Sequence, residues 1–196
     1  TIIIATGAVH KKAGIQGEAE FTGKGVSYCA TCDGAFFKNK VTAVVGGGDV
    51  AVEDALYLSR MCGKVYLIHR RDEFRAAKSL VKKARETDNI EFVLDSVVEK
   101  IDGENKVRSI NIRSKKGATI KTLEVDGVFF AVGMQPVTAF VDKNIEMNEA
   151  GYIIAGEDCA TNIPGVYAAG DIRTKQLRQI ITAAADGANA VTSVEK

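Results

Sequence analysis

The stretch that decides the fold runs from Val41 to Gly63 and reads VTAVVGGGDVAVEDALYLSRMCG. It opens with small apolar and β-branched residues, which predict a buried strand. Three glycines follow, and apolar residues then recur at helical spacing as far as Gly63, which is predicted to be a C′ cap. The next residues, KVYLIH at 64–69, predict a second strand. Together these segments predict a βαβ unit with parallel strands.

The glycines between strand and helix fit the G-x-G-x-x-A form of a dinucleotide-binding motif. Its members are Gly46, Gly47, Gly48, Asp49, Val50 and Ala51. Glycines at such a turn let backbone amides approach a pyrophosphate, and the helix N-terminus adds a partial positive charge. The motif therefore predicts a dinucleotide site, and a glycine-rich turn without a ligand is the alternative.

The end of the second strand indicates which dinucleotide is bound. An NAD site normally has an Asp or Glu about 20 residues after the glycines. This sequence instead has His69, Arg70 and Arg71, with Arg75 one helical turn later. Because a guanidinium matches a phosphate bidentately, the cluster favours NADPH, with its 2′-phosphate, over NADH. A solvated basic start of a helix is the alternative interpretation.

A cysteine pair, Cys29 and Cys32, lies in CATCDG just before the βαβ unit. Structural zinc needs four ligands, and Cys62 and Cys159 are isolated, so we expect no metal and two buried, inert thiols. A static disulfide is unexpected in a reducing compartment. A cycling redox couple is favoured, with Asp33 as a proton carrier or, alternatively, a structural turn residue. Because NADPH gives up a hydride, a flavin mediator is expected between the two.

The rest of the chain predicts further regular elements. We expect an amphipathic helix over 72–86, a strand at 90–94, an antiparallel meander over 97–124, an apolar strand over 125–132, a hairpin-like run GYIIAG at 151–156, and a final helix from about Leu177.

The composition of the chain limits which kinds of binding partner are expected. The 196 residues carry 26 Lys plus Arg against 25 Asp plus Glu, so no net charge favours nucleic acid or an acidic membrane. No apolar stretch is long enough to span a bilayer and no signal peptide is present, so a cytoplasmic location is the default expectation. The chain opens on a strand without an initiator Met and stops in a helix, from which we expect a fragment of a longer protein.

Four motifs together carry a family resemblance: CATCDG, GGGDVAVEDALYLS, HRRDEFRA and PGVYAAGDI. Over nearly its whole length the chain resembles the low-molecular-weight NADPH-dependent thioredoxin reductases. The resemblance implies an α/β fold in which a Rossmann-like NADPH-binding domain, with a parallel sheet and a β-meander, is inserted in a FAD-binding domain of the same type. Residues 11–136 would form the inserted domain. Residues 1–10 and 137–196 would be FAD-domain pieces, with the N-terminal part of that domain missing.

The resemblance also implies roles for residues outside the βαβ unit. Gly170, Asp171 and Ile172 would face the ribityl and phosphate groups of FAD, and Arg178 and Gln179 would lie near the flavin ring. Thr6 and Gly7 match a segment near the cofactor, and Gly133 completes the implied cofactor-binding set.

The implied activity passes electrons from NADPH through FAD to the Cys29–Cys32 disulfide and on to thioredoxin. Cys32 would face the flavin and Cys29 would attack the disulfide of thioredoxin. The resemblance further implies a homodimer of the full-length protein and a rotation of the NADPH domain between two orientations. The alternatives are the flavoprotein subunit of an alkyl hydroperoxide reductase, and a fragment that acts only as a nucleotide-binding module.

Overall fold

Two separate units make up the chain in the structure, a computed structural model that describes residues 1–117 and 119–195. The split unit comprises Thr1–Lys11 and Gly133–Lys196, and the central unit comprises Lys12–Val132. The sequence placed the domain boundaries after residues 10 and 136. The short segment from Gly133 falls in the split unit because its strand pairs with residues 8–10. The assignment of these units to FAD and NADPH domains stays a prediction.

Strands dominate the regular structure, and short helices connect them. The strands, in chain order, are β1 (Ile2–Ile4), β2 (Ala8–His10), β3 (Val26–Ser27), β4 (Val41–Gly46), β5 (Lys64–Ile68), β6 (Ile90–Val93), β7 (Ser96–Gly103), β8 (Val107–Ser114), β9 (Ile120–Glu124), β10 (Gly127–Ala131), β11 (Met134–Pro136) and β12 (Val166–Ala168). The α-helices are α1 (Ala30–Asp33), α2 (Asp49–Ser59), α3 (Lys78–Arg85) and α4 (Ile180–Val194), and 3₁₀ turns cover Gly34–Phe37 and Gly170–Ile172.

The core of the central unit is a five-stranded parallel sheet in the order β3-β10-β4-β5-β6. Its strands are apolar on both faces, as expected for a sheet covered on both sides. Val44, Val65, Leu67 and Phe129 are essentially inaccessible and pack with α2 and α3. The opposite face packs on the antiparallel sheet β7-β8-β9. The predicted α/β class, with a parallel sheet and a β-meander, is confirmed.

Helix α2 ends earlier than predicted. Its last residue is Ser59, so the predicted C′ cap at Gly63 is wrong. The Gly63 N–H donates to the carbonyl of Lys40 at 2.9 Å, just before β4. Gly63 therefore belongs to the connection into β5, and its backbone is bonded to the sheet instead of the helix.

Helix α3 begins later than predicted. The sequence placed the helix over 72–86, but regular helix covers only Lys78–Arg85. The residues before it are bonded to the glycine loop: Arg75 N–H donates to the Gly47 carbonyl at 2.8 Å, and Ala77 N–H donates to Asp49 Oδ1 at 2.7 Å. A backbone N–H used in this way cannot join a helical ladder, and the start of the helix moves accordingly.

The split unit has little regular sheet. Strands β1 and β12 pair in parallel, and β2 and β11 pair antiparallel. The hairpin-like run predicted at 151–156 forms one arm of a short antiparallel turn with the residues just before it: Met147 bridges Ile153, and Ile154 N–H donates to the carbonyl of Glu146 at 2.9 Å. Ile153 N–H also donates to the carbonyl of Ile172 at 3.0 Å, and the Ile153 side chain is fully buried.

Helix α4 begins at Ile180, three residues after the predicted start at Leu177. Gln179 and Thr182 form a reciprocal capping box at this end, which fixes where the helix starts.

A buried ion cluster holds the split unit together. Asp186 of α4, only 4% exposed, accepts two hydrogen bonds from the Arg173 guanidinium at 2.6 and 2.7 Å. Lys175 Nζ and Gly170 N–H each donate to the same carboxylate at 2.8 Å. Burial by itself would raise the pKa of Asp186, but these hydrogen bonds outweigh it and hold the pKa well below its ordinary value.

We expect Asp186→Ala to destabilise the split unit of the full-length protein by about 3–5 kcal/mol, because two buried cations lose their partner. Calorimetric unfolding measures the change. Asp158→Ala is the matched control: its carboxylate is exposed and accepts one backbone bond, from Ala160. Equal effects of the two substitutions would contradict the assignment.

The same cluster predicts a pH dependence. Since the folded-state pKa of Asp186 is depressed below its ordinary 3.8, its contribution is complete above that value and is lost as pH falls through the folded-state pKa. Wild-type and Asp186→Ala stabilities should therefore converge in acid.

Candidate redox and nucleotide site

The cysteine pair forms a disulfide in the structure. Cys29 and Cys32 are joined by an S–S bond of 2.03 Å at the start of the short helix α1. Cys29 is half-buried and caps this helix, where its Sγ accepts a hydrogen bond from Cys32 N–H at 3.2 Å, whereas Cys32 is exposed. Cys62 and Cys159 are free and buried, as predicted. Among residues 1–117 and 119–195, no group of three or more His, Cys, Asp or Glu could hold a metal ion.

Asp33 follows the second cysteine and is held by a residue that the sequence did not single out. Ser27, at the end of β3 and 6% exposed, donates from Oγ to Asp33 Oδ2 at 2.7 Å. The same hydroxyl accepts the N–H of Cys29 at 3.1 Å. The link to Cys29 is a local serine motif that spacing can suggest. The link to Asp33 requires the turn through α1, which only the structure shows.

A second unforeseen residue anchors the chain just before the pair. Glu18, 3% exposed, accepts the backbone N–H groups of residues 13, 14 and 15 and the hydroxyl of Tyr28. Burial alone would raise the pKa of Glu18, but these hydrogen bonds together lower it. Glu18 thus ties the first residues of the central unit to the residue that precedes Cys29.

The disulfide and the glycine loop each follow a parallel strand of the same sheet. Strands β3, β10 and β4 are parallel, so their carboxyl ends meet at one edge, where ligands bind in open α/β sheets. The chain leaves β3 toward Cys29 and leaves β4 at Gly46. The turn after α1 packs on α2, because a Cβ at Gly34 would lie 3.0 Å from Leu58 and 3.2 Å from Tyr57.

The first two glycines of the loop are required by packing. A Cβ at Gly46 would lie 2.6 Å from the Ala131 carbonyl oxygen and 2.7 Å from the Cβ of Ala51. A Cβ at Gly47 would lie 2.0 to 2.6 Å from the ring of His69. Gly48 differs, because a Cβ there would meet nothing within 4 Å. The open space at Gly48 fits the close approach of a phosphate to its backbone.

The remaining residues of the motif have distinct environments. Asp49 directs its carboxylate to the N–H of Ala77. Val50 is 60% exposed, and Ala51 is fully buried against the sheet. Ala51 is therefore a packing residue in this structure, while the neighbouring Val50 is free to face a ligand.

His69 and the three arginines share a segment but not an environment. His69 is 7% exposed and stacks on Phe74 at 5.1 Å between ring centroids. Burial lowers the pKa of His69 below its ordinary 6.5, so the ring is neutral at pH 7. Arg70, Arg71 and Arg75 are exposed, and none forms an ion pair with a carboxylate in the part of the chain described. The positive charge that can bind an anion therefore comes from the three arginines, and their guanidinium groups fit a 2′-phosphate.

The residues expected near FAD lie in the split unit. Gly170 has φ of +80° and begins the 3₁₀ turn through Asp171 and Ile172. Asp171 Oδ1 is buried without a hydrogen-bond partner among the described residues. The Arg178 guanidinium lies 4.0 Å above the Tyr152 ring, and its Nε is also buried without such a partner. Orphaned polar atoms of this kind fit a polar ligand such as the ribityl chain of FAD.

The other predicted residues of that unit form backbone contacts. Thr6 Oγ1 donates to the Val137 carbonyl at 2.9 Å, and the carbonyl of Gly7 accepts Val137 N–H at 3.0 Å. Gly133 has φ of +102°, which favours glycine, and its carbonyl accepts Lys11 N–H. Gln179 caps α4. Their roles toward a cofactor stay predictions.

Comparison with known proteins agrees with this geometry. The sequence profile of the family described as pyridine nucleotide-disulphide oxidoreductase matches residues 1–187. The chain belongs to this family. The description of the family names a pyridine nucleotide and a disulphide, which are the two features that the sequence predicted for the glycine loop and for the cysteine pair.

Individual relatives are also similar over the whole chain. A thioredoxin reductase of Listeria innocua is 49% identical over 100% of this chain and 61% of its own length. The crystal structure of thioredoxin reductase from Streptococcus pyogenes has a TM-score of 0.94 at 46% identity, covering 100% of this chain and 64% of that one. Thioredoxin reductase from Giardia duodenalis has a TM-score of 0.90 at 42% identity, covering 98% and 64%. The chain thus spans less than two thirds of these proteins.

We expect Gly47→Ala and Gly48→Ala to separate packing from nucleotide approach in this oxidoreductase. Gly47→Ala collides with His69 and should lower the stability of the full-length protein by about 1–3 kcal/mol or more. Gly48→Ala has room in the free protein and should leave Tm unchanged, while weakening NADP⁺ binding about tenfold or more.

Calorimetric unfolding and titration calorimetry with NADP⁺ measure the two effects. Unchanged NADP⁺ affinity in the Gly48 variant would remove the backbone at Gly48 from the phosphate site.

Proposed function

We propose that the full-length protein is a flavoprotein thioredoxin-disulfide reductase that uses NADPH. The observation that carries the proposal is the Cys29–Cys32 disulfide directly after β3, in the same parallel sheet whose strand β4 leads into the glycine loop. The similar proteins named thioredoxin reductase support it over the alkyl hydroperoxide reductase and nucleotide-module alternatives. A cytoplasmic location and a homodimer belong to the same proposal. Among the described residues, no helix has the length and apolar character to cross a bilayer.

The central unit supplies the nucleotide-binding half. Backbone amides from Gly47 to the first turn of α2 would hold the pyrophosphate, aided by the partial positive charge of the helix start. Arg70, Arg71 and Arg75 would bind the 2′-phosphate, since they are exposed and carry no ion pair in the described residues. The positions directly after β5, where an acidic side chain would accept a ribose 2′-hydroxyl, are occupied by His69 and Arg70.

FAD, whose chemistry connects a two-electron hydride donor to a disulfide, fits the split unit. Asp171 and Arg178 would hold it through the buried polar atoms that lack partners among the described residues. The backbone at Gly170 would lie close to it, because a left-handed glycine leaves the peptide open to approach.

The cysteine pair carries out the exchange with thioredoxin. Two electrons and two protons convert the Cys29–Cys32 disulfide into two thiols. The Cys29 thiolate then attacks the disulfide of thioredoxin, forming a mixed disulfide and releasing one thioredoxin thiolate. The Cys32 thiolate attacks Cys29 Sγ, which reforms the intramolecular disulfide and releases the second thiolate. Asp33, fixed by Ser27, would take the proton from each attacking thiol and pass it to the corresponding leaving thiolate.

We expect the full-length protein to reduce thioredoxin with NADPH far faster than with NADH. Cys29→Ser and Cys32→Ser should each lower that rate by at least about a thousandfold, because no covalent route to the substrate disulfide remains. NADPH oxidation coupled to thioredoxin reduction is the measurement. Cys62→Ala, at a buried thiol away from the pair, is the control that should keep the rate. A Cys32→Ser enzyme that works at the normal rate would refute the proposal.

Asp33→Asn tests the proton carrier. The amide retains the shape of the side chain and can still accept from Ser27, but it cannot transfer a proton. Thioredoxin reduction should fall about a hundredfold, in line with loss of a general acid. Asp88→Asn, at an exposed carboxylate between α3 and β6, serves as control. A normal rate combined with a lowered Tm would instead assign Asp33 to structure alone.

A further inference from the structure

The segment from Arg70 to Ala77 is irregular although its sequence favours a helix. Three backbone atoms of the segment are bonded to other parts of the fold: the Arg71 carbonyl accepts from Asp95 N–H, and two N–H groups donate to Gly47 and Asp49. The His69 carbonyl, just before the segment, accepts from Ser96 N–H. The two donors, on Arg75 and Ala77, lie immediately before α3. Tertiary hydrogen bonds therefore prevent the backbone that carries these arginines from becoming helical.

Asp49 supplies the side-chain half of this attachment. It is the first residue of α2, directly after the glycines, and its Oδ1 accepts the Ala77 N–H at 2.7 Å. The neighbouring bond, from Arg75 N–H to the Gly47 carbonyl at 2.8 Å, is entirely backbone. Arg75 is thus connected to the glycine loop by its own N–H and by that of the residue two positions later.

A carboxylate at the first residue of α2 disfavours the binding of an anion, so its presence in a nucleotide site calls for another role. Its negative charge lies where a pyrophosphate would be held, so it opposes nucleotide binding by charge repulsion. The favourable interaction with the helix dipole is available to a phosphate as well. The bond to Ala77 is the feature of Asp49 that can favour binding.

We infer that Asp49 is a positioning residue for selectivity toward the 2′-phosphate, acting through Ala77 N–H to hold Arg75 beside the glycine loop. The inference rests on the proposed function, because it takes NADPH as the nucleotide. Without the bond, the residues before α3 are free to follow their helical pattern toward Asp72. Arg75 would then leave the position that faces the loop, while the pyrophosphate cradle at Gly47 and Gly48 would persist.

The experiment compares 2′,5′-ADP with 5′-AMP as probes, by titration calorimetry on the full-length protein. Asp49→Ala removes the acceptor, and Asp49→Asn keeps an oxygen acceptor without the charge. Ala77→Pro removes the donor from the other side, and the Ala77 φ of −53° suits proline. We expect Asp49→Ala and Ala77→Pro to weaken 2′,5′-ADP binding about tenfold, with 5′-AMP changed less than about twofold, and Asp49→Asn to keep the wild-type ratio.

Asp126→Ala is the matched control. Asp126 Oδ2 also accepts a backbone N–H, that of Val41 at 3.1 Å, but at the amino end of β4, away from the glycine loop. It should lower Tm without changing the ratio of the two affinities. Loss of selectivity in the Asp126 variant as well would show that general destabilisation causes the effect, and would overturn the inference.

The outcomes distinguish the proposed function from the positioning role. A wild-type protein that binds 2′,5′-ADP no better than 5′-AMP contradicts NADPH use, and with it the proposed function. If the wild type prefers 2′,5′-ADP over 5′-AMP and the Asp49→Ala and Ala77→Pro variants keep that preference, only the positioning role of Asp49 is overturned. If Asp49→Ala does not fold, Ala77→Pro gives the answer. A lower ratio of 2′,5′-ADP to 5′-AMP affinity in Ala77→Pro supports the role of Asp49, and an unchanged ratio refutes it.

Discussion

The absence of space for a side chain at Gly46 and Gly47 is the constraint on which the nucleotide end of the central unit depends. The carbonyl of Ala131 and the Cβ of Ala51 occupy the space that a side chain at Gly46 would need. The His69 ring occupies the space that a side chain at Gly47 would need. Strand β4 can therefore turn straight into α2, and α2 can lie directly on the sheet. The same close approach leaves the Gly47 carbonyl where Arg75 can bond to it. Packing and ligand binding use the same glycines for different reasons.

The order of the parallel strands places the disulfide and the glycine loop after two strands of one sheet. Strand β10 arrives from the far end of the central unit and inserts between β3 and β4, so the segments that follow those two strands share one edge. One of them carries the disulfide and the other the glycine loop. Two buried hydrogen bonds fix the chain around the cysteines: Ser27 donates to Asp33, and Glu18 accepts from the hydroxyl of Tyr28. The Ser27 and Glu18 side chains are nearly inaccessible. The disulfide at the start of this four-residue helix is thereby held by interior groups.

The split unit relies on polar interactions to a greater degree. Its sheets are two-stranded, and its best-connected buried group is the Asp186 carboxylate with four donated hydrogen bonds. That carboxylate ties α4 to the turn at Gly170, which is the turn that presents Asp171. Buried atoms without partners among the described residues occur at Asp171 and Arg178 in this unit, next to the groups that the ion cluster fixes. The arrangement suits a unit whose polar residues must stay oriented for a ligand.

The sequence by itself determined the βαβ unit, the meander, the glycine motif, the cysteine pair and the arginine cluster. These depend on local periodicity and on residue types a few positions apart, which the chain carries into any context. Only the tertiary structure decided where α2 ends, where α3 begins, and that Ser27 holds Asp33. At Ala77 the deciding partner is Asp49, 28 positions away, and the sheet brings the two together. Helix initiation is unfavourable in itself, so a tertiary hydrogen bond at its first turn prevails over the local pattern.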